Sequence, residues 1–420
     1  MDFFSDTTTI YITLAAIFGI FMAWGIGAND VANAMATSVG SKAITIKQAV
    51  ILAAIFEFSG AYLAGGEVTK TIRKGIISMD ALNGNVDLLI WGMLASLLAA
   101  GTWLLIASLK GWPVSTTHSI VGAVIGFAAV GVSADAVNWS KVVSIVMSWI
   151  VSPLIAGTIA FAVFSSIQKL VINTAEPLKN AIKYGPVYLF MVGFIIALVT
   201  IKKGLKHIGI HVEGGMEFVY AAMLGGLIAF IGVMLIRRIK FDDKAEKRFH
   251  FANVEKIFAV LMIFTASAMA FAHGSNDVAN AVGPMAAVIS AAQSGELASQ
   301  SALPGWVLLL GGGGIVIGLA TLGYKVIAMV GEKITELTPS RGFSAEIGAA
   351  TTVVLASYTG IPVSTTQILV GAILGVGLAR GIAAIDLRVV GNIFMSWVIT
   401  LPAGAILSIL FFYLLKGIFS

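Results

Sequence analysis

Asp30 and Asp277 lie inside long apolar runs, in near-identical surroundings. Gly27-Ala28-Asn29-Asp30-Val31-Ala32-Asn33-Ala34 returns as Gly274-Ser275-Asn276-Asp277-Val278-Ala279-Asn280-Ala281. Hydrocarbon makes an unpaired carboxylate expensive, so such a residue faces a partner or a water-filled cavity. On a helix Asn29, Asp30 and Asn33 share one broad face. A carboxylate with amide oxygens suits a hard monovalent cation or a proton, and offers too few charges for a tight divalent cage. Gly27 is a natural break and Asn29 or Asp30 a good N-cap for the segment that follows; in the competing reading Asp30 merely caps a helix and Asn33 holds two helices together. Two copies at matching places favour one site assembled from both.

A second pair of motifs carries the complementary chemistry. Pro113-Val114-Ser115-Thr116-Thr117 recurs as Pro362-Val363-Ser364-Thr365-Thr366, 83 and 85 residues after the respective Asp. Proline suits the entry to a helix, where its missing N–H costs nothing, and the first backbone N–H groups of that helix have no intrahelical acceptor. Such an end with adjacent hydroxyls is an anion site. Two of them would surround an oxyanion with donors. Neither motif contains Lys or Arg, so a doubly charged anion there needs co-bound cations. The alternative is a pair of polar caps or Ser/Thr packing contacts.

The elements that must position these residues are membrane helices. The chain has 420 residues, 58% hydrophobic and 11% charged, without cysteine. Soluble domains carry roughly 25% charged residues. The short alternating segments of an outer-membrane barrel are absent. Forty-six glycines fit close helix approach in lipid. Lack of cysteine excludes disulfides and thiolate chemistry, and the first residues, with Asp2 and Asp6, do not read as a signal peptide. The net charge of +5 reports topology and does not point to nucleic acid. Apolar blocks fall near 8–28, 48–66, 88–109, 139–165, 185–201, 215–236, 254–272, 305–330, 345–360 and 389–416. Segments 112–132 and 361–379 are spans or re-entrant half-helices. Ten to twelve spans are expected.

Basic residues give the orientation. None precedes Lys42 and Lys47, whereas Arg237, Arg238, Lys240, Lys244, Lys247, Arg248 and Lys256 crowd one loop, and none follows until Lys325. The positive-inside rule puts the N-terminus outside and the 237–256 loop in the cytoplasm. The two Asn-Asp motifs then cross in opposite senses. The expected fold is an all-α polytopic membrane protein, an inverted-topology repeat with discontinuous helices and a midplane site. Residues 1–165 and 250–420 are the repeats; 166–249 is a connector with two spans. In the connector His207 and His211 sit four apart, but the glycines around them read as a loop, so solvated side chains are favoured over a metal site.

With the residues in view, the two Gly-x-Asn-Asp-Val-Ala-Asn-Ala segments and the two Pro-Val-Ser-Thr-Thr segments resemble the paired signatures of the inorganic phosphate transporter (PiT) family, in both halves. The resemblance implies phosphate import coupled to sodium or protons by an inverted-repeat fold, often dimeric, in the cell (inner) membrane. Some proteins resembling this pattern carry sulfate. On it the expected phosphate site is Asn29, Ser115, Thr116, Thr117, Asn276, Ser364, Thr365 and Thr366, with sodium at Asp30, Asn33, Asp277 and Asn280. Amide-rich coordination favours sodium over a proton; a proton-coupled phosphate or sulfate permease is the alternative.

Glu57, within the 48–66 block, is either an extra cation site or a buried carboxylate paired with Ser59 or Tyr62. Ser115 and His118 do not make an oriented triad, and Gln367 stands where His118 would recur, so an enzyme is not expected. Gly311–Gly314 lacks a P-loop ending and reads as helix packing. A channel would share broken helices but not stoichiometric coupling.

Overall fold

The computed structural model describes residues 6–202, 209–210, 212, 214–241, 250–297, 303–331, 337–381 and 387–420. His207, His211 and residues 242–249 of the basic loop, with Lys244, Lys247 and Arg248, lie outside the described residues, and so does the side chain of Asn33. The described chain is helical: α1 Thr7–Gly40, α2 Ile46–Ala64, α3 Gly66–Lys74, α4 Val86–Lys110, α5 Thr116–Gly126, α6 Trp139–Ile167, α7 Pro177–Lys202, α8 Met216–Ile236, α9 His250–Ser294, α10 Gly305–Gly318, α11 Tyr324–Gly331, α12 Pro339–Thr359, α13 Thr365–Arg380 and α14 Leu387–Phe419. Among the described residues nine helices are long and apolar enough to cross a membrane. Two more, Thr116–Val132 and Thr365–Arg380, are apolar but short. Helix α12 is long enough, but its polar residues keep it out of the nine.

The duplicated motifs do not break their helices. Helix α1 runs unbroken through Gly27–Ala34, and α9, 45 residues long, runs through Gly274–Ala281. The expected break at Gly27 and cap at Asn29 or Asp30 are therefore wrong. The real caps are elsewhere: Asp6 accepts from Thr8 N at the start of α1. Gly27 serves close approach instead, because a Cβ there would collide with the backbone carbonyl of Ile315 on α10. Across the same contact Gly318 faces the Trp24 carbonyl. The other half repeats the device: Gly274 faces the Glu57 carbonyl and Gly60 the Phe271 carbonyl, between α9 and α2. The chain does break at the second motif. Residues 112–115 and 360–364 are non-helical, and α5 and α13 begin directly after Ser115 and Ser364.

The halves are interlocked. Helix α5 packs on α14 through Gly122 and Gly404, and α13 packs on α6 through Gly371 and Gly375. Helices α1 and α9, which carry the carboxylates, lie against each other. The expected packing role of the 311–314 glycines holds at Gly311, Gly312 and Gly314, which face Val282, Phe58 and Ala23. The outward faces of α6 and α8 expose Met147, Ile150, Leu154, Met223, Leu227 and Phe230, the apolar belt a bilayer requires.

If backbone contact sets the spacing of these helices, Gly60→Ala and Gly274→Ala must push two helices apart. Each is expected to destabilise the protein by roughly 1–3 kcal/mol. Gly313→Ala, with nothing within 4 Å of the added methyl, should be near neutral. Thermal unfolding of the purified protein in detergent checks this, and equal melting temperatures for all three variants would contradict the packing.

Candidate functional site

The folding of each motif begins with asparagine. Asn29 Nδ2 donates to the Trp112 carbonyl (3.0 Å) and Ser108 Oγ (3.2 Å), while its Oδ1 accepts from Val114 N (3.3 Å). Asn276 repeats this with the Ile361 carbonyl (3.3 Å), Ser357 Oγ (3.2 Å) and Val363 N (3.2 Å). Each amide satisfies the irregular backbone before a short helix, which could not otherwise lie inside a bilayer. Ser115 and Ser364 then cap those helices, accepting from His118 N (3.2 Å) and Gln367 N (3.3 Å).

These contacts aim the next residues at the carboxylates. Thr116 Oγ1 lies 2.8 Å from Asp30 Oδ2 and 3.2 Å from Asp277 Oδ2. Thr365 Oγ1 lies 3.1 Å from Asp277 Oδ2 and 3.4 Å from Asp30 Oδ1. One hydroxyl from each half thus reaches both acids. Thr366 Oγ1 donates to Asp30 Oδ1 at 2.6 Å, and the backbone N–H of Thr116, at the start of α5, points to Asp30 Oδ2 at 3.4 Å. Asn280 Nδ2 lies 3.2 Å from both Thr116 Oγ1 and Thr117 Oγ1, and Thr117 Oγ1 donates to the Val363 carbonyl. Asp30 and Asp277 are buried, and so are the threonines.

Two further residues complete the cluster. His273, fully buried, sets Nε2 3.1 Å from Asp277 Oδ2 and 3.9 Å from Asp30 Oδ1, with Nδ1 3.0 Å from Glu57 Oε2. Glu57 is thus brought into the site through His273. The partner anticipated in Ser59 is otherwise engaged, with its hydroxyl on the Ile55 carbonyl. No repeat search could have found His273, because Ile26 occupies the matching place in the first half. Its direct adjacency to the second motif was the available signal. Ligand atoms of Asp30, His273 and Asp277 lie close enough to hold one ion. Asp277 Oδ1, Asn280 Oδ1 and Glu57 Oε1 are buried acceptors without a hydrogen-bond donor among the described residues. The imidazole of His118, by contrast, packs on Trp149 with ring centres 3.8 Å apart. It does not activate Ser115, whose hydroxyl caps its own helix.

A helical membrane protein in which carboxylates and helix-start hydroxyls converge in a buried cluster has the build of a transporter. Comparison with known proteins agrees. The chain belongs to the Phosphate transporter family, whose model matches residues 26–408, and the family is one of transporters, not enzymes. The chain is 52% identical over 421 residues, the whole length of both chains, to a Haemophilus influenzae protein named "putative phosphate permease". It is 42% identical to the Arabidopsis thaliana protein named inorganic phosphate transporter 2-1, chloroplastic, over 98% of this chain and 73% of that one. A solved structure titled the sodium-dependent phosphate transporter superposes with a TM-score of 0.90 at 41% identity, covering 97% of this chain and all of the other.

Removing His273 would leave Glu57 and Asp277 as buried carboxylates without a donor between them. His273→Ala is expected to cost roughly 3–5 kcal/mol of stability. Glu57→Gln should recover part of that loss, giving a coupling of about 0.5–3 kcal/mol in the double-mutant cycle. Unfolding in detergent reads this, and strictly additive effects would show that the imidazole does not bridge the two acids.

Proposed function

We propose that the chain imports inorganic phosphate by symport with sodium. One observation carries the reading: the carboxylates and helix-start hydroxyls of both halves converge in a single buried cluster. Sodium binds between Asp30 and Asp277, taking the oxygens of Thr116, Thr365 and Asn280, with Asn33 as a further candidate and Glu57 coupled through His273. Phosphate binds at the N-terminal ends of α5 and α13, on Ser115, Thr116, Thr117, Ser364, Thr365 and Thr366. Asn29 and Asn276 hold the loops that shape those ends. The coupling ion is chosen from the oxygen-rich donor set and supported by the sodium dependence in the structural neighbour's title.

The cluster suggests how the two cargoes depend on each other. Asp30 occupies the start of α5 as an internal anion, taking the hydroxyl and backbone N–H of Thr116 and the hydroxyl of Thr366. Those are donors a phosphate would need. A cation that takes over the carboxylates releases the hydroxyls and supplies positive charge beside the vacated donors. Helix N-termini give only about half a charge each, and an unpaired dianion in this interior is prohibitively costly. Binding is therefore cation first, anion second.

The matched hydrogen bonds of Asn29 and Asn276 support a repeat of residues 1–165 and 250–420 with the cluster at their junction, and the basic residues support its inversion. The N-terminus is outside and the 237–256 loop in the cytoplasm, as the basic residues require.

Uptake into proteoliposomes under imposed sodium or proton gradients, with sulfate as competitor, tests the reading. Wild-type uptake should require sodium and resist sulfate. Asp30→Asn and Asp277→Asn should fall to background while the protein still inserts, because the amide keeps the carboxylate's shape and one oxygen to accept from the surrounding hydroxyls. Asn280→Ala should mainly raise the sodium requirement. Normal uptake by both Asp variants would make the carboxylates structural. Uptake driven by protons alone, or blocked by sulfate, would replace sodium or phosphate with the alternative cargo.

A further inference from the structure

The helix-start motifs contain no arginine, but one stands buried at the end of the molecule farther from the basic loop. Arg73, in the last turn of α3, is 7% exposed. Helix α3 lies along α9. Val68 and Ile72 pack on Ala279, and a Cβ on Gly283 would meet Ile72 at 2.9 Å and the Arg73 backbone nitrogen at 3.5 Å. Gly283 is six residues beyond Asp277, about 9 Å along an axis that runs away from the basic loop. Arg73 there lines a pocket with Ser290 of α9 and the apolar side chains of Met79, Leu89 and Leu297. Ser290, thirteen residues or about 20 Å beyond Asp277, is buried too. The exposed Glu296 forms the lip.

A guanidinium presents its N–H donors in a fixed fork that matches the oxygens of a phosphate group. Apolar walls strengthen the attraction, because less water screens it. A second cation stands close by: Lys141 passes Gly75, with Cε 3.4 Å from where a Cβ would lie. Glu296 opposes an anion, but a carboxylate exposed to solvent is screened by salt. Lys70 is already paired with Glu67 at 2.7 Å. The arginine belongs to one half only. Gly60 and Gly318 are equivalents through their contacts with the Phe271 and Trp24 carbonyls, and by that register Gly331 stands where Arg73 would recur. One end of the duplicated core thus carries a buried guanidinium, and the other a glycine.

We propose that Arg73, with Ser290, forms an outer oxyanion site that takes phosphate before the midplane cluster does. Its role as an entry point rests on the outward placement of this end and on phosphate import through the starts of α5 and α13; the binding of phosphate at Arg73 does not. An importer gains from such a site on the side of entry alone, since an equal one on the release side would hold the cargo back. The guanidinium supplies the charge that α5 and α13 lack, so binding here is independent of sodium. A phospholipid headgroup offers the same chemistry. Near-complete burial of Arg73 favours the small free anion over a headgroup tied to its chains.

The test is equilibrium binding of radioactive inorganic phosphate to the purified full-length protein in detergent, at low ionic strength, with choline in place of sodium. Wild type should hold one phosphate per chain without sodium and a second when sodium is restored. Arg73→Gln should lose the first and keep the second. Arg73→Lys keeps the charge without the fork and should weaken the first by about tenfold; it also serves if Arg73→Gln fails to fold. Glu296→Gln should tighten it, and Asp30→Asn should lose only the sodium-dependent phosphate. No binding without sodium, or sodium-free binding unchanged in both Arg73 variants, would overturn the site. So would its loss in Asp30→Asn, which would return that phosphate to the midplane. Displacement by added phosphatidylglycerol would assign the pocket to a lipid headgroup and overturn the entry role, whereas undisturbed binding sustains it. Arg73-dependent binding with no second, sodium-dependent phosphate would sustain this site and refute coupling at Asp30 and Asp277.

Discussion

Two carboxylates meet in the interior of this membrane protein, and the rest of the structure answers that fact. Asp30 and Asp277 both lie within hydrogen-bond reach of the same two hydroxyls, Thr116 and Thr365. Like charges so close in a low dielectric repel strongly. Donors, or a cation, must stand between them. The chain provides donors by breaking two helices, since only a helix start leaves hydroxyls and free N–H groups together. Broken backbone inside a bilayer is costly in turn, and Asn29 and Asn276 satisfy it. Glycine completes the arrangement: backbone contact at Gly27, Gly60, Gly274 and Gly318 lets α1 and α9 carry the acids inward between α10 and α2. Remove the acids from the interior and none of these devices has a purpose.

The duplication explains the symmetric part of the site, and the coupling proposed for it draws on the part that is asymmetric. Thr116 and Thr365 are equivalents, and so are the two asparagines. His273 has Ile26 in the matching place, and Glu57 enters the site through His273 alone. Thr366 donates to Asp30, whereas its equivalent Thr117 turns to the Val363 carbonyl and Asn280. One acid is thereby cradled at a helix start like a bound anion, and the other pairs with an imidazole.

Much of this was legible in the sequence. Repetition of Asn29-Asp30 as Asn276-Asp277, and of Ser115-Thr116-Thr117 as Ser364-Thr365-Thr366, identified the residues that converge and the helices that break before them. Composition established a helical membrane protein. What escaped had a common cause. Recurrence passed over His273, present in one half only, whose remaining signal was its adjacency to the second motif. Gly27 read as a helix break because glycine is a poor helix former. In the bilayer its missing side chain is instead what lets α10 touch α1. Span counting missed the polar character of α12, whose Ser340, Ser344, Glu346 and Thr352 are buried against other helices. Hydropathy records how a segment partitions into lipid, and says nothing of which face a neighbouring helix covers.

The central claim is that cation binding at Asp30 and Asp277 prepares the helix starts for phosphate. Titrating phosphate onto the purified protein in detergent at a series of sodium concentrations measures this most directly. Phosphate affinity should rise with sodium, and sodium affinity should rise with phosphate by the same factor, as linkage requires. Coupling energies of this kind are typically about 1–3 kcal/mol, or roughly 5–150-fold. A phosphate affinity indifferent to sodium would contradict the account.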